Sequence, residues 1–308
     1  MAEPAAAPRP LISVVIPSYN HAGFIARAMQ SVVDQTYPHW EMVVVDNHSQ
    51  DDTDRVVGGF DDARIRLLKI HNLGVIAASR NLGIREARGE WIAFLDSDDC
   101  WYPRKLETLL AAVGGADAYD VASNDEVMVD LKTGNKTVLH YGPYEPEFYR
   151  ALLVEGNRLS PAATMVRHEF LRRHQLQFPE SRDYITVEDY GLWLDLARSG
   201  ARFKFVHDVQ GEYVLHADNN SAQLGRHWQN TENLLRDHVF DVQQFHPAPE
   251  DLWKIVSARI QMWRVRQLVR DRQWVRALIE GLRTITGSPA GVTRYALAGV
   301  KRRYRGMT

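Results

Sequence analysis

An α/β fold, a mostly parallel sheet flanked by helices and followed by a helical C-terminal appendage, is predicted for this chain by three features. Short apolar runs alternate with segments of helical period from Leu11 to Leu110. Polar clusters follow those runs at one end only, and from Leu224 onward the pattern is helical throughout.

Leu11–Ile16 reads as the first strand, ended by Pro17, and the next segment sets Phe24, Ala28 and Val32 on one helical face with Ile25 and Met29 beside them. Met42–Val45 is the second strand, its unbroken valines fitting a strand covered on both faces. Ile65–Ile70 and Trp91–Leu95 follow as the third and fourth. Ser18-Tyr19-Asn20, Asp46-Asn47-His48-Ser49 and Asp96-Ser97-Asp98-Asp99 come directly after strands one, two and four. In a parallel sheet these clusters converge on the rim where ligands collect.

Beyond about residue 115 the rhythm weakens. Ser123–Leu139 reads as an irregular hairpin region turning at Lys132-Thr133-Gly134-Asn135, with mixed strands expected. A helix returns over Glu188–Ser199, with Leu192, Trp193 and Leu196 as its apolar stripe and Gly200 as a left-handed cap. Phe203–Val206 and Glu212–Leu215 read as two short strands. In the tail, Leu252, Val256, Ile260 and Trp263 share one helical face, as do Val275, Leu278, Ile279 and Leu282. The expected organisation is a disordered stretch over residues 1–10, a main domain over 11–217 with halves at 11–115 and 116–217, and a basic helical region over 218–308.

The 308 residues are 45% hydrophobic and 25% charged, an ordinary globular composition able to bury a core. The formal charge of −2 hides an asymmetry: residues 251–308 hold 13 Lys/Arg against 3 Asp/Glu, a net of +10, leaving −12 for the rest. An acidic body argues against nucleic acid as a partner. Cys100 is the only cysteine, so no intrachain disulfide can form. The Ala/Pro-rich start lacks the apolar stretch of a signal peptide, and no run reaches the roughly 18 apolar residues of a membrane span. A cytoplasmic protein, peripheral at most on the inner face of the membrane, is expected.

The acidic tetrad carries the most chemistry. In an extended segment residues two apart point the same way, so Asp96 and Asp98 can share one hard divalent cation such as Mg²⁺ or Mn²⁺; a plain acidic turn is the alternative. Pro17-Ser18-Tyr19-Asn20, Val44-Val45-Asp46, Asn72-Leu73-Gly74, Arg80-Asn81, Asp96-Ser97-Asp98-Asp99 and Glu188-Asp189, in this order, resemble the inverting family 2 glycosyltransferases of GT-A (Rossmann-like) fold, over most of residues 11–217.

The resemblance implies a metal-dependent transferase that moves a sugar from a nucleotide-diphosphate donor to a hydroxyl of a glycan or lipid-linked acceptor, in surface-polysaccharide synthesis. It assigns Asp98 as direct metal ligand, Asp96 to the ribose and cation, and His216, in Tyr213-Val214-Leu215-His216, to the metal shell. Asp189 is the implied base, with Glu188 as its orienting or acceptor-binding neighbour. Around the nucleotide it sets Pro17, Tyr19, Asn20, Asp46, Asn47, Asn72, Arg80 and Ser97, with Tyr19 flanking the base and Arg80 pairing with the diphosphate. Family members often carry two acids after strand two. Here the second is Asn47, a departure that loosens the base assignment: UDP is favoured, with dTDP and GDP left open.

Two rivals stand beside this expectation. A phosphatase of the haloacid dehalogenase type also ends a strand in Asp-x-Asp, but its Thr/Val position is occupied here by Cys100 and the motif falls late. A non-catalytic nucleotide-sugar-binding or membrane-docked scaffold is the other. In the tail, Trp253, Trp263 and Trp274 among arginines suit either an amphipathic helix on an anionic membrane or a hairpin with a solvated basic face, and Lys301-Arg302-Arg303-Tyr304-Arg305 is the terminal basic cluster.

Overall fold

The structure, a computed structural model, describes residues 9–114, 118–216 and 224–305, with side chains described as far as Leu297. The expected disorder at residues 1–8 and the side chains of the Lys301–Arg305 cluster lie outside that range, whereas Pro10 is held by the Tyr37 hydroxyl, which donates to its carbonyl at 2.6 Å.

In chain order the elements are β1 (Ile12–Ser18), α1 (Ala22–Val33), β2 (Trp40–Asp46), α2 (Thr53–Gly58), β3 (Ile65–Lys69), α3 (Ile76–Glu86), β4 (Trp91–Phe94), β5 (Cys100–Trp101), α4 (Lys105–Val113), β6 (Val121–Asp130) and β7 (Lys136–Leu139). There follow α5 (Phe148–Glu155), β8 (Thr164–Arg167), α6 (His168–His174), α7 (Glu188–Arg198), β9 (Phe203–Leu215), α8 (Leu224–Asp237), α9 (Pro249–Arg270), α10 (Trp274–Gly287) and α11 (Pro289–Arg305). They form two compact units. The first comprises residues 1–144, 159–180 and 195–219; the second comprises 145–158, 181–194 and 220–308.

The first unit is built on a nine-stranded sheet of order β3-β2-β1-β4-β8-β6-β9-β5, with β7 added to β6. β1 to β4 run parallel, as their unbroken apolar runs and helical crossovers require. The sheet then turns mixed: β8 is antiparallel to both β4 and β6, while β9 runs parallel to β6. Every residue of β1 and β2 is buried. Ile12, Val14 and Ile16 pack with Ile25, Met29 and Val32 of α1 and with Leu106, Leu109 and Val113 of α4; each such side chain contributes roughly 1.5–3 kcal/mol. On the opposite face Gly83 of α3 lies against Val15, and a Cβ there would stand 3.1 Å from its Cγ2.

Two elements differ from expectation. The hairpin expected at Ser123–Leu139 is present around the expected turn, and differs only in that β6 and β7 pair in unbroken antiparallel register where irregularity was expected. The two short strands after Gly200 are one strand, β9, because a break in register at His207-Asp208 bends it without ending it. The cap of α7 is as expected: Gly200 adopts φ +84°, with Ala201 N–H donating to Leu196 O at 3.0 Å and Gly200 N–H to Ala197 O at 3.2 Å.

The second unit is helical. Leu234 and Leu235 of α8, Val239 after it, and Leu252, Val256 and Ile260 of α9 are buried. Trp253 lies 6.1 Å from the Phe240 ring and Trp263 meets Trp228 edge-on at 5.8 Å, so these two tryptophans have partners within the unit. Trp274 is 61% exposed. On α10 the expected period holds and the apolar face looks outward: Ala277 and Thr284 are buried, while Val275, Leu278, Ile279 and Leu282 are exposed. Among the described residues no helix is long and apolar enough to cross a membrane.

Candidate active site

The ends of β1 and β2 are joined by hydrogen bonds before any ligand is considered. Asn47 N–H donates to Ser18 O at 2.9 Å, Asn20 N–H to Ser49 Oγ at 2.8 Å, and Gln50 N–H to Asn20 Oδ1 at 2.8 Å. Asn20 and His48 both hold φ +52°, a left-handed conformation that Asn and His tolerate better than most residues. Asp46 is fully buried, and its Oδ2 accepts from Ser49 N–H at 2.9 Å and from Lys69 Nζ at 2.8 Å. Its carboxylate therefore shapes the loop from within. Asn47 Oδ1 accepts from Asn72 N–H at 2.8 Å, and the Asn72 side chain in turn holds Ser79 Oγ and Gly74 N–H, which ties the loop before α3 to the same rim. Pro17 is buried in β1, whereas Tyr19 is 52% exposed above the rim.

After β4 the acidic tetrad folds as a turn closed by Asp99 N–H to Asp96 O at 3.1 Å, so the extended geometry expected for Asp96 and Asp98 does not hold. The two carboxylates take different partners. Asp96 Oδ1 accepts from Arg80 Nη2 at 2.7 Å; Arg80 is almost wholly buried, with its guanidinium 5.2 Å from the Phe178 ring centroid. Asp98 Oδ2 lies 2.9 Å from Nε2 of His216, whose ring stacks on Phe24 at 4.6 Å. Ser97 Oγ is 2.7 Å from His21 Nδ1. Arg80 and Asp96, which the resemblance assigned to different parts of the donor, are thus paired with each other.

Asp99, directly behind this turn, is buried and accepts from Val214 N–H at 2.9 Å. Burial, and after it the charges of Asp98, Asp96 and Glu126, push its carboxyl well above the usual range. Burial also raises Glu126, which accepts from the Tyr141 hydroxyl at 2.8 Å, and pushes Lys105 down to about 7. Lys105 donates to Asn124 Oδ1. The sequence motifs include Asp99 but neither Lys105 nor Glu126. The cluster's signal was present in Ser123-Asn124-Asp125-Glu126, four polar residues inside a strand flanked by Val121-Ala122 and Val127-Met128-Val129. Asp125, on the same strand, gathers two histidines: His140 Nδ1 at 2.7 Å and His207 Nδ1 at 3.5 Å from one oxygen, Oδ2. The register break in β9 that brings His207 there falls in the gap between Val206 and Glu212 that the sequence leaves out of its two short strands.

Glu188 and Asp189 open α7 in the second unit. Glu188 is buried, Asp189 is half-buried, and Asn157 Nδ2 approaches Asp189 Oδ2 at 3.4 Å. Two residues before the pair, Thr186 sits at φ +76°, a strained conformation for a β-branched residue costing about 1–3 kcal/mol. His227 Nδ1, 3.1 Å from Thr186 Oγ1, lies beside it.

Seen whole, this fold is that of the GT-A-type glycosyltransferases: the Staphylococcus aureus TarS fragment 1–349, solved with UDP-GlcNAc, superposes with a TM-score of 0.66 over 97% of this chain and 92% of its own, at 18% identity. Two Escherichia coli enzymes, the UDP-Glc:alpha-D-GlcNAc-diphosphoundecaprenol beta-1,3-glucosyltransferases WfgD and WfaP, are similar in sequence. WfgD is 31% identical over 61% of this chain and 70% of its own length, and WfaP is 27% identical over 73% and 86%. Residues 13–174 match the family described as glycosyl transferase family 2, and the chain belongs to that family and is a glycosyltransferase. The phosphatase and the non-catalytic scaffold are thereby set aside.

Proposed function

We propose that this glycosyltransferase is metal-dependent and inverting, and that it transfers a sugar from a nucleoside diphosphate donor, UDP favoured, to a hydroxyl of a glycan or lipid-linked acceptor in surface-polysaccharide synthesis at the inner face of the membrane. The observation that carries the reading is the pairing of the Asp98 carboxylate with the His216 imidazole, 2.9 Å apart, on the sheet rim that also holds Arg80 and Asp96. A carboxylate oxygen and an imidazole nitrogen form a donor set that suits Mn²⁺ and accommodates Mg²⁺ less readily, since Mg²⁺ prefers oxygen alone. Asp98 and His216 would hold the ion, with Asp96 beside them. When bound, such a cation neutralises charge on a departing diphosphate without a proton donor. The names of WfgD and WfaP, with their UDP-Glc donor and lipid-linked acceptor, support the donor and acceptor classes. A Pyrobaculum calidifontis mannosyltransferase solved with GDP-Man and Mn²⁺, TM-score 0.54 at 19% identity, supports the ion.

In this reading the acceptor hydroxyl attacks the anomeric carbon from the face opposite the diphosphate. The new C–O bond forms as the bond to the diphosphate breaks, and the hydroxyl proton passes to Asp189. One base carboxylate suffices, whereas a glycosidase needs two carboxyl groups. Glu188 orients the acceptor. Arg80 offers its guanidinium to the diphosphate, Tyr19 flanks the base, Asp96 and Ser97 border the ribose, and Asn20, Asp46, Asn47, Asn72 and Pro17 hold the rim that receives the nucleotide.

The test is donor hydrolysis, which needs no acceptor: UDP-sugar turnover should vanish in excess chelator and return with Mn²⁺, and Asp98→Asn should raise the Mn²⁺ requirement by about tenfold or more. Full turnover with chelator present would overturn the metal role.

A further inference from the structure

Helix α10 is turned inside out. A surface helix normally lays its apolar stripe on the protein and its polar face in solvent. Trp274, Val275, Leu278, Ile279, Leu282 and Ile285 fall within an arc of about 140° at 100° per residue, and all six are exposed, between 44% and 72%. The opposite face turns inward. The inward strip is narrow, with Ala277 and Thr284 buried and Gly281 half-buried, and the exposed Arg276, Glu280 and Arg283 stand at the mouth of a cavity of about 780 Å³ shared with Gln261 and Arg264 of α9, all within the second unit. Small residues let the two helices approach: Ala277 is buried, and a Cβ on Gly281 would stand 3.8 Å from Val265. At the α9 contact Thr284 Oγ1 lies 3.1 Å from Gln261 Oε1, and its hydroxyl also reaches Glu280 O at 2.7 Å. Turning α10 over to bury its apolar face would place Arg276, Glu280 and Arg283 where the leucines now are and would break this seam.

A six-residue apolar face held outward by a polar seam needs something apolar outside it. Charge identifies the occupant. From Arg266 to Leu297, six exposed arginines (266, 270, 272, 276, 283 and 294) accompany two exposed acids, Asp271 and Glu280. Glu280 is already engaged by Arg283 at 3.2 Å. A second copy of this chain would bring the same arginines against these, like charge facing like. An anionic bilayer offers acyl chains to the stripe and phosphate headgroups to the flanking guanidinium groups, and Trp274 at the helix start suits the headgroup level.

We infer that α10 is an in-plane membrane anchor whose apolar face enters the interface of an anionic bilayer. The inference gives a surface to the peripheral location proposed above and is independent of the donor chemistry.

Flotation of the full-length protein with vesicles tests it. The wild type should rise with phosphatidylcholine vesicles containing about 30% phosphatidylglycerol, bind pure phosphatidylcholine at least about tenfold more weakly, and detach as salt is raised. Leu278→Gln with Leu282→Gln should lose about tenfold or more of the vesicle-bound fraction, keeping the wild-type melting temperature and UDP-sugar hydrolysis. Arg270→Gln with Arg272→Gln should lower binding only on the anionic vesicles. Wild-type protein that stays with neither vesicle, or a concentration-dependent dimer in sedimentation that the leucine variant abolishes without any vesicle binding, would overturn the anchor. Loss of hydrolysis in the wild type would instead count against the functional reading and leave flotation to be judged by itself.

Discussion

Gly83→Ala tests how closely the fold and the donor site are coupled. Gly83 lies on the face of α3 that crosses β1, where the new methyl would overlap the Cγ1 of Val15 and stand 3.1 Å from Cγ2 and 3.3 Å from Cβ. Comfortable carbon–carbon separation is about 3.5–4.0 Å, so one partner must move by about 1 Å or more. Val15 has no room to give: it is fully buried and paired with Val43 on one side and Phe94 on the other. The helix must therefore lift. Overpacking of this kind costs about 1–3 kcal/mol, and backing by a central strand puts this case at about 2–3 kcal/mol. In a domain of this size that lowers the melting temperature by about 4–12 °C. Arg80 sits one turn earlier on α3 and reaches Asp96 at 2.7 Å, so the same lift draws its guanidinium away from the acidic turn. A misplacement of about 1 Å can cost on the order of 100-fold in turnover. Thermal melting and UDP-sugar hydrolysis on the same preparation decide the matter. A variant that melts within a degree of the wild type and hydrolyses donor at an unchanged rate would show that α3 is not seated on Val15 as described.

The remaining predictions concern protons. Asp189→Asn should keep donor affinity, measured by UDP titration, while losing about 10²–10⁴ of transfer, because it removes the base and leaves the nucleotide contacts in place; equal transfer would exclude Asp189 as the base. Lys105, pushed by burial from its ordinary 10.5 to about 7, binds fewer protons in the folded chain than in the unfolded chain between those values. Its contribution to stability therefore rises with pH across that window, by at most about 1.4 kcal/mol per pH unit, and is lost as pH falls through 7. Urea midpoints of the wild type and Lys105→Met from pH 7 to pH 10 should diverge in favour of the wild type, and parallel curves would mean that Lys105 stays charged in the fold.

Local spacing was enough to mark β1, β2, β3 and β4, the helix face of Ala28 and Val32 with Ile25 and Met29 beside it, the Gly200 cap and the polar clusters after β1, β2 and β4, because each depends on the period of a single segment, whereas Phe24, expected on that face, is only half-buried. The ordered motifs built from those clusters were also enough to point to the family that the comparisons bear out. Partners chosen across the fold were not legible. Asp96 and Asp98 share a turn yet face different neighbours: Arg80, set by the seat of α3 on Val15 in a pairing announced by no motif, and His216, 118 residues away after β9, which the family resemblance but no spacing set beside Asp98. The buried group of Asp99, Lys105 and Glu126 exists because α4 and β6 meet behind that turn, and desolvation there moves proton affinities that no spacing encodes. The same division holds for α10. Its amphipathic period is written in the sequence, but a period states only that two faces differ. The small residues at Ala277 and Gly281 and the polar seam with α9 decided which face looks outward.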